Sequence, residues 1–304
     1  MTATKDHGAR KAGKHLSGLG EAQGQYDAVL CDVWGVLHNG ERGFPAAAHA
    51  LAQLRRLGKA VTLITNAPRP NTDVAAQLAT FGVTPDSYDA IATSGDVCAQ
   101  AIADRAPQRP YHLGPARDLP VFEGASLMAG VAIAPVPLAE ADFVVCTGLI
   151  DDIVETPADY EKILVAMRKK NLTMICGNPD LVVHRGEQLV YCAGALAERY
   201  EEMGGAVEQA GKPYAPIYRM ALGLAERARK KPLDLARVLA IGDAMHTDIA
   251  GAHAMGIDSL LITSGIHRVQ LHGPEQGELD AEAYKQFVES HDVTPSYRAE
   301  RLIW

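Results

Sequence analysis

Val29-Leu30-Cys31-Asp32-Val33-Trp34-Gly35-Val36-Leu37 is an apolar run that is interrupted by a carboxylate and soon after meets a glycine. Residues Tyr26 to Val33 read as a buried strand. A strand that stops on Asp32 has two readings. The aspartate either makes an ordinary turn or helix cap, or it stands at the carboxyl end of a parallel strand, where open α/β sheets bind their ligands. The neighbouring sequence bears on the choice. Ala46 to Leu57 reads as a helix with Ala50, Leu51, Leu54 and Leu57 on one face. Ala60 to Thr65 is a second strand. Thr72 to Phe81 is a second helix, stopped by Gly82, and Tyr88 to Thr93 a third strand. This alternation predicts an α/β fold, with a parallel sheet and helices on its faces.

The rhythm changes after residue 94. Strand-like segments recur at Pro110–Leu113, Asp142–Thr147, Leu172–Cys176 and Gln188–Cys192, with a helix near Ala158–Lys170. From Gly211 the first rhythm returns: a helix over Ala215–Lys230, a strand over Arg237–Ile241, a helix over Asp248–Met255 and a strand over Ser259–Thr263. We therefore expect one Rossmann-like core, residues 25–94 and 206–304, interrupted by an inserted α/β lobe over 95–205. Residues 1–24, rich in Gly, Lys and His without periodicity, read as a flexible arm. The stretch after His267 shows no clear pattern.

The 304 residues suffice for a core and a second lobe. A net charge of -8 argues against nucleic acid or an anionic membrane as partner, since both need a basic surface. No apolar stretch is long enough to span a bilayer, and no apolar segment follows the basic residues near the N-terminus. The five cysteines are scattered, with no CxxC pair. We expect small-hydrophobe packing for them and a reducing, cytoplasmic setting. Cys31, beside Asp32, belongs to the same packing.

Three further stretches carry chemistry. Leu63-Ile64-Thr65-Asn66 ends a strand in hydrogen-bonding groups, which is also ordinary turn chemistry before Pro68. Gly211-Lys212-Pro213 holds a lysine between two backbone-restricting residues. Val238-Leu239-Ala240-Ile241-Gly242-Asp243 ends a strand in a carboxylate, and Asp248 follows at the expected start of a helix. Two such carboxylates suit Mg²⁺, a hard cation that uses few protein ligands. Asp248 alone also fits a helix-terminus charge.

In this order the four elements resemble the signature motifs of the haloacid dehalogenase superfamily. Thr65-Asn66, Gly177-Asn178-Pro179-Asp180, Gly211-Lys212-Pro213, Gly242-Asp243 to Asp248, and Thr263-Ser264-Gly265 look like its subclass IIA, the NagD-like phosphatases. The resemblance implies that the insert is a cap. It implies hydrolysis of a small metabolite's phosphomonoester (a sugar phosphate, nucleotide, or aryl or acyl phosphate) through an aspartyl phosphate on Asp32. Mg²⁺ would be held by Asp32, the Trp34 carbonyl and Asp243, with Asp248 binding directly or through water. Lys212 would offset charge at the nucleophile, and Thr65 with the Asn66 N–H would hold a phosphoryl oxygen. A homodimer formed partly through the cap is also implied.

One departure stands out. The family's usual acid/base aspartate lies two residues after the nucleophile, and here that residue is Trp34. Its carbonyl can still serve a metal, but an indole neither gives nor takes a proton near neutral pH. Three readings are open. His38 or His246 substitutes, the substrate carries a good leaving group, or the protein is a low-turnover phosphate-binding or regulatory module. Arg69 and His184-Arg185 are further candidates for substrate contact, each equally readable as a solvated surface group.

Overall fold

The computed structural model describes residues 13–186, 188–273 and 277–304. Among them the strands in chain order are β1 Lys14–His15, β2 Ala28–Cys31, β3 Ala60–Thr65, β4 Ala90–Thr93, β5 Pro110–Leu113, β6 Phe143–Cys146, β7 Thr173–Cys176, β8 Val182–Arg185, β9 Gln188–Tyr191, β10 Ala206–Gln209, β11 Val238–Gly242, β12 Asp258–Ile262 and β13 Tyr297–Ala299. The chain divides into two compact units. One comprises residues up to Ile64, Leu78–Ala90 and Ala221–Trp304; the other comprises Thr65–Gln77 and Ile91–Met220.

A seven-stranded sheet runs in the order β1-β13-β12-β11-β2-β3-β4. Every pairing from β1 to β3 is parallel. All residues of β2, β3 and β11 are buried, as expected of a parallel sheet covered on both faces. The order matters for chemistry. β2 and β11 are neighbours, and the chain departs from them toward opposite edges through β3 and β12. A crevice opens beyond the carboxyl ends of such strands. Asp32 follows β2 directly, and Asp243 follows β11. The Asp32 N–H donates to the Ile241 carbonyl at 2.8 Å, which holds the two strand ends level.

The arm expected over residues 1–24 is not loose where it is described. Lys14–His15 pairs with Tyr297–Arg298, and Leu16, Leu19 and Ala22 are buried. Residues 1–12 lie outside the described residues. A two-residue strand has no periodicity to read, so only its pairing with β13 fixes it. The stretch after His267 forms the helices Arg268–His272 and Ala281–Glu289 and then β13. Leu271, Tyr284 and Phe287 pack on Met245, Ile249 and Leu261.

The second unit contains a four-stranded parallel sheet, β10-β7-β6-β5, and the antiparallel hairpin β8-β9. Alternation along its central strands explains its two cores. Val144, Cys146, Met174 and Cys176 face one side, against Leu164, Met167, Leu196 and Tyr200. Phe143, Val145 and Ile175 face the other, against Cys98, Ile102, Val121 and Phe122. The helices Ser94–Ala103, Pro120–Ala129 and Ala193–Glu202, which the sequence pattern does not announce, supply much of both layers. Thr93 caps the first by accepting from the Asp96 N–H at 2.9 Å. All five cysteines are free and buried, and burial pushes the Cys98 and Cys146 thiols up to about 12. No helix among the described residues is long and apolar enough to cross a membrane.

Candidate active site

In the first unit Asp32, Asp243 and Asp248 are buried, with one carboxylate oxygen from each lying within 4.8 Å of the others. Three carboxylates so close repel one another, and burial removes the water that would screen them. A hard divalent cation resolves both costs, and an all-oxygen donor set fits Mg²⁺. Asp248 does not open a regular α-helix as expected. It lies in a π-helical turn, Met245–Ile249, before the short helix Ala250–Ala254. The wider turn brings the Asp248 and Ile249 N–H groups onto one acceptor, Ala244 O, at 3.0 and 3.2 Å. Such turns recur at functional sites.

Backbone donors and glycines fix these carboxylates. Asp243 Oδ2 accepts from the Ile266 N–H at 2.7 Å, and Asp248 Oδ2 accepts from the Ala244 N–H at 3.2 Å. A Cβ at Gly35 or Gly265 would overlap the Asp243 carboxylate, and one at Gly242 would overlap that of Asp248. Gly35 also adopts φ +80°, a conformation that side chains other than glycine's rarely take. In the sequence Gly265 carries only a family signature; its packing on Asp243 is a tertiary fact.

Trp34 is half-buried in the loop after Asp32. Its ring meets His38 edge-on, with centroids 4.9 Å apart, and His38 stacks on Phe81 at 4.5 Å. The Gly40 N–H donates to His38 Nδ1 at 3.0 Å, so in the neutral ring the proton sits on Nε2. The Gly35 N–H donates to the His38 carbonyl at 2.8 Å, closing the loop. His38 is 2% exposed and serves as a packing element of this loop. His246 is exposed, and its ring centroid lies 6.4 Å from that of His267. Sequence reasoning missed His267, whose Nε2 accepts from the Met245 N–H at 3.3 Å, two residues beyond Asp243. Burial, reinforced by His246 and His291, pushes His267 down to about 4, so it is neutral at physiological pH.

In the second unit Thr65 Oγ1 accepts from the Ala67 N–H at 3.2 Å. The Asn66 side chain is a clasp. Its Oδ1 accepts from the Lys212 N–H at 2.7 Å, and its Nδ2 donates to Asp180 Oδ1 at 2.9 Å and to Lys212 O at 3.3 Å. The amide thus ties Gly211-Lys212 to the Asn178–Asp180 turn, where the Asp180 N–H donates to Asn178 Oδ1 at 3.1 Å. Only the Asn66 backbone is left for the phosphate role expected of it. Gly211 is required here, because a Cβ would overlap Asn66 Oδ1 and approach Pro179 and Ser94. Lys212 is 3% exposed. A lysine ammonium so placed needs anionic company. Of the other candidates, Arg69 donates to Gln77 at 2.6 Å and Arg185 pairs with Asp152 at 3.2 Å.

The haloacid dehalogenase-like hydrolase family matches residues 29–127, and a HAD-hydrolase-like family matches residues 209–287. A solved haloacid dehalogenase-like hydrolase from Brucella suis 1330 is 41% identical, covering 95% of this chain and 100% of that one, with a TM-score of 0.82. The chain belongs to the haloacid dehalogenase-like hydrolase family. Human chronophin is 26% identical over 93% of this chain and 92% of its own length. The ribonucleotide monophosphatase NagD of Escherichia coli K12 is 27% identical over 78% of this chain and 88% of its own. These relatives place the chain among the subclass IIA hydrolases. The β2–Asp32 and β11–Asp243 junctions lie in the two matched segments.

Proposed function

We propose that the protein is a magnesium-dependent phosphatase acting on a small phosphomonoester, with Asp32 as covalent nucleophile. The observation that carries this is the buried trio of Asp32 and Asp243, each directly after one of two adjacent parallel strands, and Asp248, in the turn that follows the second. These three and the Trp34 carbonyl would hold Mg²⁺. When bound, the ion neutralises charge on the phosphoryl oxygens and aligns them for in-line displacement.

Asp32 would attack phosphorus, forming an O–P bond as the bond to the alcohol oxygen breaks. Water would then cleave the aspartyl phosphate and release phosphate. Lys212 would offset the negative charge of Asp32 and the phosphoryl group. Thr65 and the Asn66 N–H would hold a phosphoryl oxygen. The clasp on Lys212 supports this assignment, since it orders the loop on both sides of the lysine. Neither step has a proton-transfer group at position 34. We read this as selection for substrates whose leaving oxygen departs without protonation. The second reading, a low-turnover phosphate-binding module, is favoured only by that same residue. We further propose a homodimer in the cytoplasm; a monomer by light scattering at micromolar protein would count against the dimer.

Turnover of p-nitrophenyl phosphate decides the main reading. It should require added Mg²⁺, vanish on chelation and be absent in Asp32→Asn. Activity that survives thorough chelation, or survives in Asp32→Asn, would remove the metal or the nucleophile from the scheme.

A further inference from the structure

The spacing of Asp243 and Asp248 is set by the four residues between them, Ala244–Thr247. Part of that turn supports itself. The Asp248 and Ile249 N–H groups donate to the Ala244 carbonyl, and the Ala244 N–H donates to Asp248 Oδ2. The Met245 N–H has no such acceptor inside the turn. It opens the π-helical segment, whose first N–H groups lie ahead of any intrahelical carbonyl, and Ala244 before it makes no side-chain cap. Met245 is fully buried, and a buried N–H without an acceptor is costly.

The acceptor comes from another segment of the same unit. His267 Nε2 accepts from the Met245 N–H at 3.3 Å. The residue before it, Ile266, donates its N–H to Asp243 Oδ2 at 2.7 Å. Two consecutive residues therefore hold the first carboxylate and the start of the turn that carries the second. His267 is itself anchored. Its carbonyl accepts from the Leu271 N–H at 3.0 Å, and its ring centroid lies 4.6 Å from that of Phe287. Leu271 and Phe287 belong to the same core as Met245 and Ile249. For Nε2 to accept, the imidazole must be neutral with its proton on Nδ1. The burial that keeps His267 neutral supplies that state.

We propose that His267 is a positioning residue for the metal site, which caps the Met245 N–H and so fixes the turn that sets Asp248 against Asp243. It acts through the backbone, not as a ligand. This rests on reading the three carboxylates as a Mg²⁺ site.

Two substitutions separate the hydrogen bond from the ring. His267→Phe keeps a ring against Phe287 and removes the acceptor. His267→Gln removes the ring and offers an acceptor, Oε1, at similar reach. Mg²⁺ affinity is measured by isothermal titration calorimetry on the full chain without substrate, and melting is followed in EDTA. His267→Phe should weaken Mg²⁺ binding roughly 10-fold, and His267→Gln should stay within about threefold of wild type, since outer groups that support metal ligands are worth about 10- to 100-fold in affinity. Affinity kept by the Phe variant and lost by the Gln variant would assign His267 to packing and overturn the inference. Equal affinities in all three proteins, or equal losses in both variants, would overturn it too, whatever the melting temperatures in EDTA do. Should the Phe variant fail to fold, the Gln variant still decides, by keeping or losing its affinity. Long-range ¹H–¹⁵N NMR of wild type near neutral pH should show Nδ1 protonated and Nε2 bare; the opposite tautomer would remove the acceptor and the inference. Wild type that binds no Mg²⁺ would sink the metal reading and this inference with it. Equally tight binding by wild type and the Phe variant would sink this inference alone.

Discussion

Replacing Trp34 with aspartate should raise steady-state turnover while weakening the fold. The stability cost can be worked from the loop. Trp34 is half-buried and contributes one edge-on aromatic pair, with His38 at 4.9 Å. Such a pair is worth about 0.5–1.5 kcal/mol beyond area burial. Half of a large side chain's burial adds about 1 kcal/mol. The loss of ~2 kcal/mol corresponds to a fall of roughly 3 °C in melting temperature, at about 2.1 cal/mol/K of unfolding entropy per residue over 304 residues. The loop should survive, because its backbone bonds, Leu37 N to Val33 O at 2.8 Å and Phe44 N to Leu37 O at 2.7 Å, do not involve the indole. General acid–base help is worth ~10²- to 10⁴-fold. The assay is rapid quench with p-nitrophenyl phosphate. In wild type the first step proceeds unaided, but hydrolysis of the aspartyl phosphate lacks a base. A burst of about one nitrophenolate per active site should therefore precede a slow steady state. Trp34→Asp should abolish the burst and raise the steady rate. A wild type with no burst and a rate indifferent to leaving-group pKa would refute the reasoning. It would return His38 and His246 to consideration as proton carriers.

The packing and the buried charges lead to two more expected outcomes. Gly265→Ala should leave the circular dichroism unchanged but cost ~10²-fold in kcat, because the added methyl overlaps Asp243 and must displace it; a rate within twofold of wild type would show that the carboxylate has room to move. The Arg237 hydrogen bond, helped by Arg229 and Lys59, lowers the Asp27 carboxyl to about 2. A depressed carboxyl contributes stability above its unfolded value of 3.8 and loses it as pH falls toward 2. Asp27→Asn should therefore flatten urea midpoints measured between about pH 4 and 2; an unchanged slope would place the acid sensitivity elsewhere.

Asp32 and Asp243 were legible because each closes an apolar run of the length of a buried strand, and parallel topology then dictates where those ends face. Lys14–His15 was not legible, because a two-residue strand has no period. The helix Ala193–Glu202 hid for another reason. Gly194 lowers its intrinsic propensity, yet a Cβ there would overlap the Pro179 carbonyl, so the glycine answers to packing rather than to helix formation. Asn66 was legible as a residue and not as a role. Its side chain clasps Lys212 and Asp180, which lie 146 and 114 residues away in sequence. Asp118 escapes notice in the sequence because Pro115-Ala116-Arg117-Asp118 reads as an ordinary polar turn. The Thr147 hydroxyl that hydrogen-bonds its carboxyl comes from just beyond the end of another strand.

Position 34 separates two duties that the family's usual aspartate performs with different atoms. The backbone carbonyl can serve a cation whatever the side chain is, while proton transfer needs the carboxyl. Substitution by tryptophan therefore removes one duty and spares the other. The intact trio Asp32, Asp243 and Asp248, with glycines at 35, 242 and 265 packed against it, accords with a retained metal site. A site that keeps its metal but lacks an acid restricts the leaving group to oxygens that carry their own negative charge, as in aryl or acyl phosphates. On the proposed reading, simple sugar phosphates should be poor substrates, because their alkoxide leaving groups are too basic to depart unaided.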